Sequence, residues 1–267
     1  MAVITLLSDF GLKDPYVAEM KAVILSISPQ ARVVDITHEI EKFNIRMGAF
    51  VLASAAPYFP PNTVHVAVVD PGVGTKRRPI IAETKRGFYV GPDNGLLMLA
   101  AHKEGIIKVY HIVNPKHMLS RVSRTFHGRD IFAPAAAHLT AGISPSEFGP
   151  AIRDYVFPEF VKPQARKGEV VGEVLHKDGF GNIISNISAE DLESAAIREG
   201  DSLLVKLGDK TLTLQFCSAY GEVPAGTYLA IIGSSNFLEV AVNQGSASRT
   251  FKAKVGDSFH ISVVASN

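Results

Sequence analysis

The sequence predicts two domains of different class: an α/β N-terminal domain with a mostly parallel sheet over residues 1–155, and a smaller all-β, barrel-like C-terminal domain over residues 169–267. Three observations carry this. Apolar runs of strand length alternate with stretches of helical spacing up to about residue 155, the rhythm of a parallel sheet covered by helices. Beyond it, short strands follow one another with Gly, Asp and Asn turns between them, the pattern of a small barrel or sandwich. Between the two regimes lies FPEFVKPQARKGE, with two prolines and mixed charge, which reads as a linker over 156–168.

The elements follow in order. AVITLLSDF is a continuous β-branched and leucine run, as expected of a strand covered on both faces. PYVAEMKAVILSISP places Tyr16, Met20, Val23, Ile24 and Ile27 at helical spacing, with Pro15 near the first turn. ARVVDITHEI is a second strand, a helix lies within NIRMGAFVLASAAPYF, and TVHVAVVD is a third strand ending at Asp70. IIAETKRGFYVGP reads as a hairpin turning at Lys85–Gly87, IIKVYHIV as a strand, and RDIFAPAAAHLTAG as a helix that tolerates an early Pro134. In the second half EVVGEVLHKD, NIISNI, SLLVKL, TLTLQF, TYLAIIGS, FLEVAV and SFHISVV are strands. One helix interrupts them, with Ser188 and Asp191 spaced as a capping box and Gly200 as its C′ residue.

The charge balance excludes several function classes. With 27 basic and 26 acidic residues the net charge is +1, without the basic excess of a nucleic-acid or membrane partner. A single cysteine, Cys217, leaves no intrachain disulfide and fits a reducing interior. The N-terminal apolar run lacks a basic flank and is broken by Asp9, so it reads as a strand and not a signal peptide. No stretch approaches the roughly 20 apolar residues of a spanning helix. A soluble, cytoplasmic protein is expected.

Ligands of open α/β sheets bind beyond the carboxyl ends of the strands. There the chain places Ser8-Asp9-Phe10-Gly11 and Asp70-Pro71-Gly72, so Asp9 and Asp70 belong on one rim of the sheet. Either aspartate alone would serve equally as a turn or cap residue. In VVDPGVGTKRR the glycines resemble a phosphate loop only loosely, because a strand and not a helix follows. They instead let the backbone turn sharply, carrying Arg77 or Arg78 back toward Asp70. RTFHGRDIFAP sets His127 among Arg124, Arg129 and Asp130 just before an apolar helix, a setting suited to proton traffic near neutral pH. GPDNGLL and GFGNIISNI carry amide side chains, Asn94 and Asn182 among them, able to read a ligand's polar edge or to make ordinary turns. His38, His65, Asp9 and Asp70 form no metal-ligand spacing, and no metal is expected.

Six ordered segments, SDFGLKDPYVAEMKAVI, VVDPGVGT, YVGPDNGLL, FHGRDIFAPAAAHLTAG, FGNIISNI and GSSNFLEVAVNQGSAS, resemble the S-adenosylmethionine (SAM) hydrolases, also called SAM hydroxide adenosyltransferases, relatives of bacterial fluorinase and chlorinase. The resemblance covers nearly the whole chain. It implies an α/β domain followed by a β-barrel-like domain, a homotrimer with active sites at subunit interfaces, and hydrolysis of SAM to adenosine and methionine. It implies no cofactor, SAM being the substrate, and adenosine that can co-purify. The family's nucleophile-activating Asp–Arg–His set maps onto Asp70, Arg77 and His127, with Arg78 the alternative for the arginine.

Binding roles transfer position by position. Asp9 matches the aspartate that holds the ribose diol; Asp14 and Tyr16 lie near the methionine end, where fluorinase has a serine at the position of Tyr16. Phe43 takes the place of an aromatic ring beside the ribose. Asp178 and Asn182 match residues reading the amino acid and adenine, and Tyr220 an aromatic that stacks on adenine. Ser234 lies in the segment gripping the methionine carboxylate, but the adjoining arginine of fluorinase is replaced by Ser235. Asn94 and Glu239, within the matching segments, complete the substrate-binding set. Fluorinase has a tyrosine where Asp70 stands and a serine where Gly128 stands, so the resemblance favours hydrolysis over halogenation. A SAM or adenosine sensor without turnover is the other reading; a methyltransferase lacks support, since no glycine-rich motif follows the first strand.

Overall fold

The computed structural model describes residues 2–158 and 162–264, and the chain divides into two compact units, Met1–Pro158 and Glu159–Asn267. Residues 159–161 of the expected linker and 265–267 of the expected second domain lie outside the described residues.

The first unit is a seven-stranded sheet between two helical layers. Its strands are β1 (Val3–Ser8), β2 (Arg32–Thr37), β3 (Thr63–Val68), β4 (Pro79–Thr84), β5 (Gly87–Pro92), β6 (Ile106–His111) and β7 (Ala151–Ile152), in the order β2-β1-β3-β5-β4-β6-β7. The pairs β2–β1, β1–β3 and β3–β5 are parallel, while β4 runs against both β5 and β6 as the expected hairpin requires. β3 shows why a continuous apolar run becomes a central strand. Val64, Val66 and Val68 face a core built with Met20 and Ile24 of helix α1 (Tyr16–Ile27). Ala67 and Val69 face a second core with Leu52 of α2 (Ile45–Ala55) and Met98 of α3 (Met98–Lys103). Each such side chain buried on folding stabilises by about 1.5–3 kcal/mol, which fixes the strand between the layers. A fourth helix, α4 (Ala133–Thr140), contributes Ala133, Ala136 and Leu139 to the first core. It is entered through a π-helical turn at Gly128–Phe132 that the apolar spacing did not reveal.

The second unit is a closed barrel. Strands β9 (Glu169–Lys177), β10 (Ile183–Ser188), β11 (Ser202–Leu207), β12 (Lys210–Cys217), β13 (Tyr228–Ile232), β14 (Phe237–Val242) and β15 (Ser258–Val263) follow the order β10-β14-β13-β12-β11-β15-β9, and β9 pairs with β10 to close the ring. The linker assignment needs correction here. Gln164–Arg166 is itself a strand, β8, pairing antiparallel with the start of β9. Period-two burial is clear in β11, where Leu203, Val205 and Leu207 point inward and the residues between them face solvent. Helix α5 (Ala189–Ser194) begins with the expected capping box between Ser188 and Asp191. Its end differs from expectation: Ala196, at φ +57°, takes the left-handed position, and Gly200 turns the chain later, toward Asp201. A short helix, α6 (Ser248–Phe251), precedes β15.

Among the described residues no helix is long and apolar enough to cross a membrane.

Candidate active site

The parallel register sets Ser8 beside Val68, so the loops leaving β1 and β3 emerge side by side. Asp9, Asp14, Tyr16, Phe43, Asp70 and His127 line one cavity of about 430 Å³ at this rim, with Phe10, Lys42, Thr125 and Phe126 completing much of its wall. Phe10, Tyr16 and Phe126 meet edge to face at centroid distances of 5.1–5.7 Å, forming a rigid aromatic side. Asp9 is buried, and its Oδ2 accepts the Phe43 N–H at 2.9 Å. That bond holds Phe43 at φ +65°, uncommon for a residue with a side chain, and its ring stays exposed at the cavity mouth. Lys42 donates to the Asp9 carbonyl from the same loop.

The corner DPGVGTKRR is held by turn bonds, among them Val73 N–H to the Asp70 carbonyl at 3.2 Å and Thr75 Oγ1 to the Gly72 carbonyl at 2.7 Å. Gly74 has φ +74°, and a Cβ there would lie 2.2 Å from the carbonyl oxygen of Arg124. The corner therefore presses directly on the segment that carries His127, and no other residue fits. The turn returns Arg77 to Asp70. Its Nε donates to Oδ1 at 3.1 Å and its Nη2 to Oδ2, a bidentate pair with side chains only 7% and 5% exposed. The same Nη2 lies 3.1 Å from Nδ1 of His127, and the guanidinium stacks over the Phe132 ring at 5.4 Å. A guanidinium has no acceptor to offer, so Nδ1 must accept and the neutral ring carries its proton on Nε2. Burial, and then the Arg77 charge, lower the His127 pKa below the ordinary imidazole value. Burial raises that of Asp70 even though Arg77 pulls the other way.

His127 is fixed from below. Asp130, fully buried, accepts from the Ser123 N–H and from Arg129 Nε, both at 2.7 Å, while Arg129 Nη1 reaches Glu19 of α1 at 2.8 Å. Gly128 packs so closely that a Cβ would meet Phe126 at 3.1 Å and Met20 Sδ at 3.2 Å.

Two expected residues lie elsewhere. Arg78 turns away from Asp70 to Asp93, at 2.9 and 2.7 Å, and to Asp154 at 3.0 Å, so the corner delivers Arg77 alone to the aspartate. Asn94 is not among the cavity-lining residues. Its Nδ2 donates to the Val69 carbonyl at 2.9 Å and its Oδ1 accepts the Leu96 N–H at 3.2 Å, both ends being used to seat the turn after β5.

The barrel has a cavity of its own, about 800 Å³, whose lining includes all five expected residues of this half: Asp178, Asn182, Tyr220, Ser234 and Glu239. Asp178 Oδ1 accepts the N–H groups of Phe180 and Asn182 at 3.0 and 2.8 Å, and Oδ2 accepts Asn182 Nδ2 at 2.9 Å. Glu239 is buried, and Tyr220 Oη points at its Oε2 from 3.5 Å. Burial, reinforced by the charge of Asp178, pushes the Glu239 pKa up to about 7. Gly233 makes room for it: a Cβ there would overlap the Glu239 carboxylate. Sequence reasoning missed Lys42 in the first cavity and Arg249 in the second, although each stands beside a segment it had marked. Among the described residues no group of three or more His, Cys, Asp or Glu is placed to hold a metal ion.

The sequence pattern of the SAM hydroxide adenosyltransferase N-terminal domain matches residues 4–149, and that of the C-terminal domain matches residues 172–260. The chain therefore belongs to the SAM hydroxide adenosyltransferase family. It is 40% identical to a (R)-S-adenosyl-L-methionine hydrolase of Thermus thermophilus over 94% of this chain and 95% of that one. A fluorinase of Actinopolyspora mzabensis stands further off, 29% identical over 97% of this chain and 96% of its own. Among solved structures, an uncharacterized conserved protein from Thermotoga maritima matches with TM-score 0.92 and 40% identity, covering 98% of this chain and 100% of that one.

Proposed function

We propose that the chain hydrolyses S-adenosyl-L-methionine to adenosine and L-methionine. The observation that carries this reading is Arg77 joining Asp70 and His127 at the wall of a cavity that also holds Asp9. A water oxygen attacks the ribose C5′ in line with the C5′–S bond. The new C–O bond forms as the bonding pair returns to sulfur, which leaves as a neutral thioether needing no proton. The water proton must go to a base. Asp70, whose pKa burial raises, is that base, held in place by Arg77 and the Gly72 amide with acceptor capacity to spare. His127, its Nδ1 occupied by Arg77, stands as a neutral ring at the cavity wall beside Asp70 and helps to position the water.

Asp9 would hold the ribose diol, with Asp14 and Tyr16 toward the methionine end and Phe43 over the sugar. In the barrel cavity Tyr220 would stack on adenine, and Asp178, Asn182, Ser234 and Glu239 would read polar groups of adenine and the amino acid. We place the protein in the cytoplasm as a homotrimer with active sites at subunit interfaces, needing no cofactor and able to carry adenosine through purification. Light scattering on the eluting protein tests the trimer. The Thermus relative's name specifies the (R) sulfonium, and we take the same epimer as the substrate here.

A halide nucleophile is disfavoured because the Asp70 carboxylate repels an anion at the attacking position. The space is also unfavourable, since a serine at Gly128 would crowd Phe126 and Met20. The deciding experiment incubates the purified protein with each SAM epimer, with and without chloride, and identifies products by liquid chromatography with mass detection. Adenosine plus methionine, lost in Asp70→Ala and His127→Ala, supports the hydrolase. Retention of SAM without turnover makes it a sensor, and a 5′-chloro nucleoside makes it a halogenase.

A further inference from the structure

Behind Asp9 lies a chain of polar groups that the reaction does not use, running from buried Ser8 and His38 to Asp35 and Lys21 at the surface. Ser8, the last residue of β1, is 1% exposed and its Oγ lies 2.8 Å from Nδ1 of His38, itself 4% exposed. The same Oγ accepts the Phe10 N–H at 3.3 Å, and its hydroxyl hydrogen is available to donate to Nδ1. The proton of the neutral ring then sits on Nε2, which faces Oδ1 of Asp35 at 3.2 Å. Asp35, in β2, is held in turn by Lys21 of α1, Nζ to Oδ2, at 2.6 Å. Backbone bonds run alongside: Gly11 N–H to the His38 carbonyl at 2.8 Å, and Ile40 N–H to the Ser8 carbonyl at 3.3 Å.

Ser8, His38 and Asp35 have the composition of a hydrolytic triad, but Ser8 is no nucleophile. It lines no part of the cavity, is sealed from solvent, and already holds the Phe10 amide. What the chain does reach is the loop on which Asp9 stands. Residues 8 and 11 are each tied to the 38–40 segment, the Phe10 N–H turns back onto Ser8 Oγ, and Asp9 sits between them at the cavity wall. An apolar side chain at position 38 would fill the same volume without direction, whereas the imidazole is hydrogen-bonded to Ser8 on one side and lies 3.2 Å from the Asp35 carboxylate on the other.

We propose that His38 is a positioning residue: held between Asp35 and Ser8, it fixes the loop after β1 and so the orientation in which Asp9 meets the ligand's ribose. The proposal rests on the reading of Asp9 as the ribose-binding carboxylate. Its test measures adenosine affinity by calorimetry, steady-state kinetics on SAM, and melting temperature for His38→Ala, His38→Asn, Asp35→Asn and Asp9→Ala. His38→Ala should weaken adenosine binding and raise KM by the same factor, about tenfold, with kcat within about twofold of the parent, because Asp70, Arg77 and His127 are untouched. His38→Asn, which returns a polar atom near the Nδ1 position, should recover part of that loss. Asp35→Asn, altering a residue whose side chain is 35% exposed, should cost about threefold in affinity and keeps the test alive if His38→Ala does not fold. Lowered melting temperature with adenosine affinity and KM unchanged in His38→Ala and Asp35→Asn would reduce the chain to a structural role and overturn the proposal. So would a fall in kcat as deep as that of Asp70→Ala. Adenosine affinity intact in Asp9→Ala would overturn the ribose reading itself, and the proposal with it.

Discussion

The two cavities are built on opposite electrostatic plans. In the first, a carboxylate, a guanidinium and an imidazole touch in series, so that each charge is answered within the set. In the second, two carboxylates share a pocket: Asp178 is turned toward backbone and amide donors, and burial, reinforced by that neighbouring charge, holds the Glu239 proton up to about pH 7. A balanced set can organise a reaction without gaining or losing net charge. Two carboxylates against one arginine, Arg249, give that pocket an acidic side able to take a cation, and SAM carries a sulfonium and an ammonium. The difference assigns the proposed bond-breaking to the strand-end cavity and the proposed recognition to the barrel.

The sharpest way to break that division is Asp70→Ala. Loss of the base at the attacking oxygen should lower kcat/KM by about a thousandfold or more, read as adenosine released from SAM. If Glu239→Gln were to lower kcat as far, the division of labour would be wrong. The adjacent arginines sharpen it next. Arg77→Lys breaks a bidentate, buried pair and should cost about a hundredfold in kcat/KM. Arg78→Lys touches only Asp93 and Asp154 and should leave kcat within about threefold, lowering the melting temperature by a few degrees instead.

That pair also marks how far the sequence could be read. The alternation of strands and helices, the hairpin, the barrel strands and the capping box at Ser188 were legible because each is a local pattern of period or spacing. Asp9 and Asp70 were legible as neighbours because parallel strands end on one rim. The choice between Arg77 and Arg78 was not, since consecutive residues entering β4 point to opposite sides and only the tertiary partners decide which side is which. The place of Asn94 was not legible for the same reason: an amide in a turn reads alike whether it faces a ligand or the Val69 carbonyl. The π-helical turn below His127, the strand hidden in the linker and Ala196 in place of Gly200 are local features too short to leave a periodic trace.

Glu239 gives a stability test of the acidic pocket. Its folded pKa is about 7 against an ordinary value of 4.5, so between those values the folded state binds more protons than the unfolded one. Stability must then fall as pH rises through that window, by on the order of 3 kcal/mol in total. Chemical denaturation at pH 5 and pH 7.5 should show this loss, and Glu239→Gln, which cannot ionise, should not. An unchanged slope in that variant would mean the carboxyl is solvated and the pocket does not wait for a cation.

The smallest effect is on the acid limb of the reaction, and its sign is opposite. Adding a proton to His127 places N–H on Nδ1, where Arg77 already donates, so protonation breaks the link that holds guanidinium, imidazole and carboxylate together. Burial and the Arg77 charge keep that event below the ordinary imidazole pKa of 6.5. Activity should therefore be flat near neutrality and fall about tenfold per pH unit only beneath that value. Asp70, raised above the ordinary carboxylate value of 3.8 by burial, contributes to the same limb. His127→Gln separates them: whatever fall remains in that variant belongs to Asp70, and the part that vanishes belongs to the imidazole. Acidification from neutrality thus strengthens the barrel through Glu239 while disabling the strand-end cavity through His127. A pH at which stability still climbs as turnover collapses is what two independently built cavities require. If both instead fell together on acidification, a single unfolding event would explain the limb and His127 would carry none of it.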